Sequence, residues 1–138
     1  MPNKKILIVE DDADVRFGYQ VLLKAHHYDT CFAIDSVSAV SEARKQQPDL
    51  ILLDLGLPAG DGYVVLERFR NQTSVAQIPV IVVSARDVRS NKEKALQAGA
   101  KAFVQKPWND DELLGLIGDL VGEPHTATGH QTGNYIFP

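Results

Sequence analysis

The stretch Leu50-Ile51-Leu52-Leu53-Asp54 decides the fold. Four consecutive apolar side chains leave no polar face, which is typical of a short strand buried on both sides in a parallel sheet. Residues 6–9 and 80–83 have the same fully apolar character. Asp54 therefore follows a buried strand directly, at the carboxyl end where open α/β sheets bind their ligands.

Strand and helix patterns alternate strictly along the chain. The predicted strands cover residues 6–9, 29–34, 50–53, 80–83 and 102–105, and the predicted helices cover about residues 13–25, 36–46, 62–71, 88–98 and 109–121. Such alternation favours right-handed parallel β-α-β units. The sequence thus predicts an α/β fold: a doubly wound five-stranded parallel sheet in the order 2-1-3-4-5, in a flavodoxin-like three-layer sandwich.

Length and composition fit a single globular domain. The 138 residues are 44% hydrophobic and 23% charged, and the net charge of −4 disfavours direct nucleic-acid binding. Neither a signal peptide nor a membrane-spanning stretch is visible, so we expect a cytoplasmic protein. The single cysteine, Cys31, is expected to be a buried thiol. Residues 1–122 form the predicted domain, and residues 123–138 are a predicted flexible tail.

Polar side chains follow four of the predicted strands. Glu10 and Asp11 follow the first, Asp54 the third and Lys106 the fifth, while Ser84 ends the apolar run of the fourth. Parallel strands end at one sheet edge, so these groups should share a cleft. Converging carboxylates repel one another and favour a bound cation, and oxygen ligands suit Mg²⁺. An ammonium and a hydroxyl beside them could bind a phosphoryl group.

Each of these residues also has a plainer structural interpretation. Asp12 could serve only as the N-cap of the first helix, and Ser84 could be an ordinary turn hydroxyl. Lys106 could form a simple ion pair with Asp54. The residue types alone leave both interpretations open, and the joint arrangement favours the functional one.

The ordered motifs closely resemble the receiver domains of two-component response regulators, the CheY-like family. The resemblance covers about residues 4–121. It is carried by six motifs, which are residues 6–12 (ILIVEDD), 52–58 (LLDLGLP), 61–62 (DG), 79–85 (PVIVVSA), 99–100 (GA) and 106–107 (KP). Each motif is weak alone, but all six in this order and spacing are highly specific.

The resemblance implies a metal and acceptor site. Asp54 matches the phospho-accepting aspartate. Asp11 matches the acid that contacts Mg²⁺ directly, and Glu10 the acid that acts through a water. The main-chain carbonyl of Gly56 matches a third protein ligand, so the implied metal set is Glu10, Asp11, Asp54 and Gly56.

The resemblance also implies a switch. Ser84 matches the Ser/Thr that turns toward the phosphoryl group on activation, and Phe103 matches the aromatic residue that swings inward with it. Lys106 matches the lysine that binds the phosphoryl group, and its bond to Pro107 is expected to be cis.

Several positions depart from the common pattern of the family. Gly56 replaces a larger residue and should widen access to the phosphoryl site, and Arg86 borders the same site. These two residues are expected to set the lifetime of the phosphorylated state. His27 stands where a glycine often closes the first helix, so we expect strain in that turn.

The implied activity is signalling rather than enzymatic. Asp54 takes a phosphoryl group from a histidine kinase or a histidine phosphotransfer protein, with Mg²⁺, by self-catalysed transfer and slow autodephosphorylation. The surface of the fourth helix, fifth strand and fifth helix then shifts to control a downstream protein, and a homodimer through that surface is a further expectation. Neither nucleic acid nor membrane is an expected direct partner.

Several alternatives to a stand-alone receiver remain open. The chain could be an intermediate in a multistep phosphorelay, a receiver excised from a larger regulator or hybrid kinase, or a non-phosphorylated scaffold. An aspartyl-nucleophile phosphatase would place its nucleophile in an Asp-x-Asp motif after the first strand. A flavodoxin-like cofactor binder would need a Ser/Thr/Gly loop there, and the acids at 10–12 would repel its phosphate.

Overall fold

The structure, a computed structural model, describes residues 2–58 and 60–122. The predicted tail, residues 123–138, lies outside the described residues. The described strands are β1 (Lys5–Val9), β2 (Asp29–Ala33), β3 (Leu50–Leu53), β4 (Val80–Ser84) and β5 (Ala102–Gln105). The described helices are α1 (Ala13–Ala25), α2 (Ser36–Gln46), α3 (Gly62–Asn71), α4 (Val88–Gln97) and α5 (Asp110–Val121).

The sheet is fully parallel in the order β2-β1-β3-β4-β5, which confirms the predicted doubly wound topology. β1 and β3 pair with Val9 opposite Leu53. β4 and β5 pair with Ser84 opposite Gln105. The register therefore brings the residues after Val9, Leu53 and Gln105 to the same edge of the sheet.

The sheet separates two hydrophobic clusters, which explains the continuous apolar runs. Along β3, Ile51 and Leu53 pack into one cluster, which includes Phe69 of α3. Leu50 and Leu52 pack into the other, which includes residues of α1 and α5. Because successive strand side chains point to opposite faces and both faces are covered by helices, every position of β3 must be apolar.

Carboxylate and amide side chains cap the N-termini of the helices. The Asp12 carboxylate accepts hydrogen bonds from the amides of Asp14 and Val15 at 2.8 and 3.1 Å and caps α1. Ser36 was the expected N-cap of α2, and that expectation is wrong. Asp35 is the cap, because its carboxylate accepts from the Ser38 amide at 2.7 Å while Ser36 is already the first helical residue and is buried.

Positive φ angles follow four of the described helices, at His27, Gln47, Gly99 and Gly122. Gly99, the predicted stop after the fourth helix, has φ 116°. His27 has φ 68°, so the turn after α1 holds a non-glycine residue in the left-handed region, as expected from the sequence. Among the described residues, no helix is long and apolar enough to cross a membrane.

Candidate active site

Backbone hydrogen bonds between strands position the acidic loop. The Glu10 amide donates to the Ala33 carbonyl at 3.0 Å, and the Asp54 amide donates to the Val9 carbonyl at 3.1 Å. Glu10 and Asp54 therefore begin adjacent loops at the carboxyl ends of β1 and β3.

Three carboxylates meet at this edge. Oxygen atoms of Glu10, Asp11 and Asp54 all lie within 4.8 Å of one another. Asp11 is exposed and Asp54 is half-buried, whereas Glu10 is only 2% exposed. Burial raises the pKa of Glu10, the hydrogen bond from Lys106 lowers it, and the Asp54 carboxylate raises it, with a net rise. Asp12, which caps α1, plays the structural part foreseen for it.

Lys106 reaches the acids from the end of β5. Its Nζ lies 2.6 Å from Glu10 Oε1 and 3.7 Å from Asp54 Oδ2. The structural interpretation of the sequence paired this lysine with Asp54, but the short hydrogen bond goes to Glu10 instead. Glu10 is the more deeply buried acid, so it gains most from a direct donor. The Lys106–Pro107 peptide is cis, as the family resemblance implied.

The donor set fits a magnesium ion. Mg²⁺ binds oxygen at about 2.1 Å, so two of its ligands lie at most about 4.2 Å apart. The carboxylate spread of up to 4.8 Å is close to that span and leaves room for one acid to bind through a water. Two or three carboxylates with open solvent on the Asp11 side also match the preference of Mg²⁺ for retained waters.

Ser84 ends β4, and Phe103 lies within the neighbouring strand β5. Ser84 is 1% exposed, and its hydroxyl accepts a hydrogen bond from the Arg86 amide at 3.1 Å. The Ser84 carbonyl accepts from the Lys106 amide at 2.8 Å, which ties the ends of β4 and β5 together. Phe103 is half-buried and packs against the cluster on the α3 side of the sheet.

The loop after Asp54 is open on one side and crossed by an arginine on the other. The Gly56 amide donates to Asp54 Oδ1 at 3.3 Å. A Cβ at position 56 would meet only Asp54 Oδ2, at 4.0 Å, so a side chain there has room beside the carboxylate. The Arg86 guanidinium donates to the Leu55 carbonyl at 3.3 Å and to Asp61 Oδ2 at 2.9 Å.

Two residues beside the site were not predicted from the sequence. Arg16 donates from one guanidinium nitrogen to the carbonyls of Glu10 and Asp11, both at 2.9 Å, and so fixes the acidic loop. Asp61 pairs with Arg86 and caps α3 through the Tyr63 amide at 2.9 Å. Asp61 could have been identified from the sequence, because it belongs to the Asp-Gly motif at residues 61–62. Nothing in the local sequence indicates that Arg16 contacts the acidic loop.

Comparison with known proteins identifies relatives along nearly the whole described chain. The family model described as "Response regulator receiver domain" matches residues 6–118. The transcriptional regulatory protein KdpE of Staphylococcus aureus is 37% identical over 135 residues, which is 98% of this chain and 56% of that protein. The response regulator PleD of Caulobacter vibrioides is 33% identical over 119 residues, which is 86% of this chain and 26% of that protein. The chain thus spans about half or less of these relatives.

Solved structures agree with the fold. A putative response regulator from Chloroflexus aurantiacus superposes with a TM-score of 0.82 at 27% identity, covering 87% of this chain and 98% of that one. The receiver domain of the sensor histidine kinase PA1611 from Pseudomonas aeruginosa has a TM-score of 0.80 at 30% identity, covering 87% and 98%. That structure has a magnesium ion coordinated in its active site cleft.

Proposed function

This chain belongs to the response regulator receiver domain family of two-component systems, and we propose that Asp54 is its phospho-acceptor. The observation that carries the proposal is the meeting of three carboxylates within 4.8 Å with the Lys106 ammonium 3.7 Å from Asp54 Oδ2. Asp54 is the acid of this set that is partly open to solvent and also within reach of both the other acids and the lysine. A donor can approach it, and charge that develops during transfer can be neutralised.

The proposed metal ligands are Asp11 and Asp54 directly, Glu10 through a water, and the main-chain carbonyl of Gly56. When bound, Mg²⁺ supplies positive charge to the oxygens of the transferring phosphoryl group. The magnesium in the PA1611 receiver supports this assignment by similarity. Burial raises the pKa of Glu10 and the Asp54 carboxylate raises it further, so the charged forms of these acids would gain from a bound cation.

The proposed reaction is transfer from a phosphohistidine of a histidine kinase or a histidine phosphotransfer protein, or from a small phosphodonor. An Asp54 carboxylate oxygen forms a bond to phosphorus while the nitrogen–phosphorus bond of the donor breaks. The electron pair returns to the imidazole, which takes up a proton. Lys106 Nζ, already 3.7 Å from Asp54 Oδ2, neutralises charge on a phosphoryl oxygen. Water later hydrolyses the acyl phosphate to the carboxylate and inorganic phosphate.

The proposed output begins at Ser84 and Phe103. Ser84 ends β4, and its carbonyl accepts a hydrogen bond from the Lys106 amide. Movement of Ser84 toward phosphoryl oxygens would therefore displace the end of β5. Phe103 of β5 lies opposite Val82 and is only half-buried, which leaves it room to turn inward. The surface formed by α4, β5 and α5 would then shift between two states and control a downstream protein, or pair with a second copy.

Gly56 and Arg86 are the proposed determinants of the phosphoryl lifetime. Open space at Gly56 lets water approach Asp54. The Arg86 guanidinium is held on Asp61 and the Leu55 carbonyl, so it forms one wall of the entrance. Residues 1–122 are the proposed receiver unit. A phosphorelay intermediate or a receiver from a larger regulator would use the same chemistry, and a scaffold would not.

Intact-mass measurement tests the acceptor. The chain is incubated with Mg²⁺ and acetyl phosphate, and we expect one phosphate adduct. The adduct should not form when EDTA replaces Mg²⁺, and it should not form in Asp54→Ala. The matched control is Asp111→Ala, because Asp111 is exposed in the first turn of α5 and should keep the adduct. Absence of an adduct with acetyl phosphate, phosphoramidate and a phosphorylated histidine kinase alike would favour the scaffold.

A further inference from the structure

An aromatic pair lies behind the acidic site. Tyr19 of α1 and Trp108 of the loop after β5 stack with ring centroids 4.2 Å apart and ring planes 4° from parallel. Tyr19 is 2% exposed. Trp108, the single tryptophan of the chain, is half-buried, and its indole N–H donates to Asp110 Oδ1 at 2.9 Å. One ring face and the indole nitrogen of Trp108 are therefore both fixed.

The stack lies close to the charges of the site. Burial raises the pKa of Tyr19, and the carboxylates of Glu10 and Asp54 raise it further, so the ring hydroxyl lies within the field of both acids. The same α1 begins directly after the acidic run of residues 10–12, with Asp12 as its cap. Tyr19 thus connects the helix that follows the acidic loop to the loop that carries the lysine.

Trp108 is two residues from Lys106, with only Pro107 between them. The Lys106 amide is tied to the Ser84 carbonyl at 2.8 Å. Pro107 follows, is exposed and has no N–H to donate. The next fixed point along the loop is the Trp108 ring on Tyr19, before Asn109 caps α5 through the Glu112 amide at 2.9 Å. The backbone course on either side of Lys106 is therefore set by β4 on one side and by the stack on the other.

We infer that Tyr19 and Trp108 are positioning residues for Lys106. The stack holds residues 106–109 in the path that keeps Lys106 Nζ 2.6 Å from Glu10 Oε1 and within reach of Asp54. A charge-assisted hydrogen bond depends steeply on distance and angle, so a small relaxation of this loop weakens it. This inference rests on the proposed function, because Lys106 is taken as the group that steadies the transferring phosphoryl oxygens.

Substitutions at both rings separate a stacking role from simple filling of space. Tyr19→Phe and Trp108→Phe keep two aromatic faces, whereas Tyr19→Leu and Trp108→Leu keep apolar volume without the stack. With acetyl phosphate and Mg²⁺, we expect the two leucine variants to form the Asp54 adduct about tenfold more slowly than wild type. This slowing corresponds to a loss of about 1.4 kcal/mol of transition-state stabilisation. The two phenylalanine variants should stay within about twofold of wild type.

Two controls exclude a loss of stability as the cause. Phe69→Ala removes a buried side chain of α3 from the hydrophobic cluster on the other face of the sheet, away from the stack. It should lower the melting temperature without slowing the transfer. In a Lys106→Ala background, Trp108→Leu should cause no further slowing, because the residue through which it acts is gone. Equal losses in the two backgrounds, or leucine variants as fast as phenylalanine variants, would overturn the inference.

A readout without phosphorylation keeps the inference separate from the proposed function. The ¹⁵N-labelled ammonium group of Lys106, held on Glu10 and largely shielded from water, should give a resolved lysine side-chain signal that Lys106→Ala removes. We expect this signal to persist in both phenylalanine variants and to broaden away in both leucine variants. If wild type takes no phosphate, the proposed function fails and this signal alone decides the inference. An unchanged signal in all four ring variants would refute it.

Discussion

Replacing Lys106 with methionine should lower the free energy of unfolding by about 3 kcal/mol at neutral pH without Mg²⁺. The Lys106 side chain is 17% exposed and that of Glu10 is 3% exposed, so their 2.6 Å contact belongs with buried ion pairs. Removing one partner of a buried pair typically costs about 3–5 kcal/mol, because an uncompensated charge is left behind. The lower end applies because Lys106 keeps some contact with water, and methionine retains the apolar stem.

The loss should depend on pH. Burial already raises the pKa of Glu10, and removing Lys106 removes an interaction that lowers it. The folded variant therefore binds a proton more tightly than its unfolded chain, so its stability falls as pH rises through the folded pKa of Glu10. The deficit relative to wild type should be full near pH 7 and should have shrunk by about pH 4, below the ordinary glutamate pKa and so below the raised pKa of the folded chain, where Glu10 is neutral.

Urea unfolding at both pH values, with EDTA present, measures the deficit. The matched control is Lys101→Met, because Lys101 is exposed just before β5, and it should change stability by less than about 0.5 kcal/mol. Saturating Mg²⁺ should recover part of the stability of Lys106→Met, since the cation compensates the same carboxylates. A Lys106→Met variant as stable as wild type at neutral pH, or a deficit that does not change with pH, would refute the reasoning.

Three further predictions concern other positions. Gly56→Met should lengthen the lifetime of phosphorylated Asp54 several-fold, because the new side chain would lie beside Asp54 Oδ2 and hinder the approach of water. A time course of adduct loss measures this lifetime, and an unchanged lifetime would reject the prediction. His27→Gly should raise the free energy of unfolding by about 1 kcal/mol, because a backbone φ of 68° is unfavourable for any residue with a side chain. The control is His26→Gly, at φ −109°, which should give no such gain in the same urea experiment. Burial raises the pKa of Cys31 from 9.0 to about 11. A disulfide reagent near pH 8 should therefore modify the folded chain about 100-fold more slowly than the urea-unfolded chain. Equal rates for the two chains would count against a shielded thiol.

Much of the fold could be predicted because its determinants are local. Continuous apolar runs such as Leu50–Leu53 are what a strand covered on both faces requires. Caps and stops such as Asn109 and Gly99 mark helix ends within a few residues. Element boundaries moved by one residue where the local pattern is weak. β4 continues to Ser84, and α4 ends at Gln97 rather than at Ala98.

The site could be predicted only as far as strand order fixes it. Because β1 and β3 are neighbours, Glu10 and Asp54 must approach each other, and the sequence suffices for that. The choice of Glu10 over Asp54 as the closest partner of Lys106 depends on depth in the cleft, which no local pattern encodes. The Tyr19–Trp108 stack and the Arg86–Asp61 pair are likewise set by how α1, α3 and the loops pack in three dimensions.

The most direct test of the central claim maps the phosphoryl group to a residue. After incubation with Mg²⁺ and acetyl phosphate, borohydride reduction converts an aspartyl phosphate to homoserine, and peptide mass spectrometry locates the changed residue. The account predicts homoserine at position 54, dependent on both Mg²⁺ and acetyl phosphate. Reduction at another aspartate with Asp54 intact, or no reduction under conditions that phosphorylate a related receiver, would contradict it.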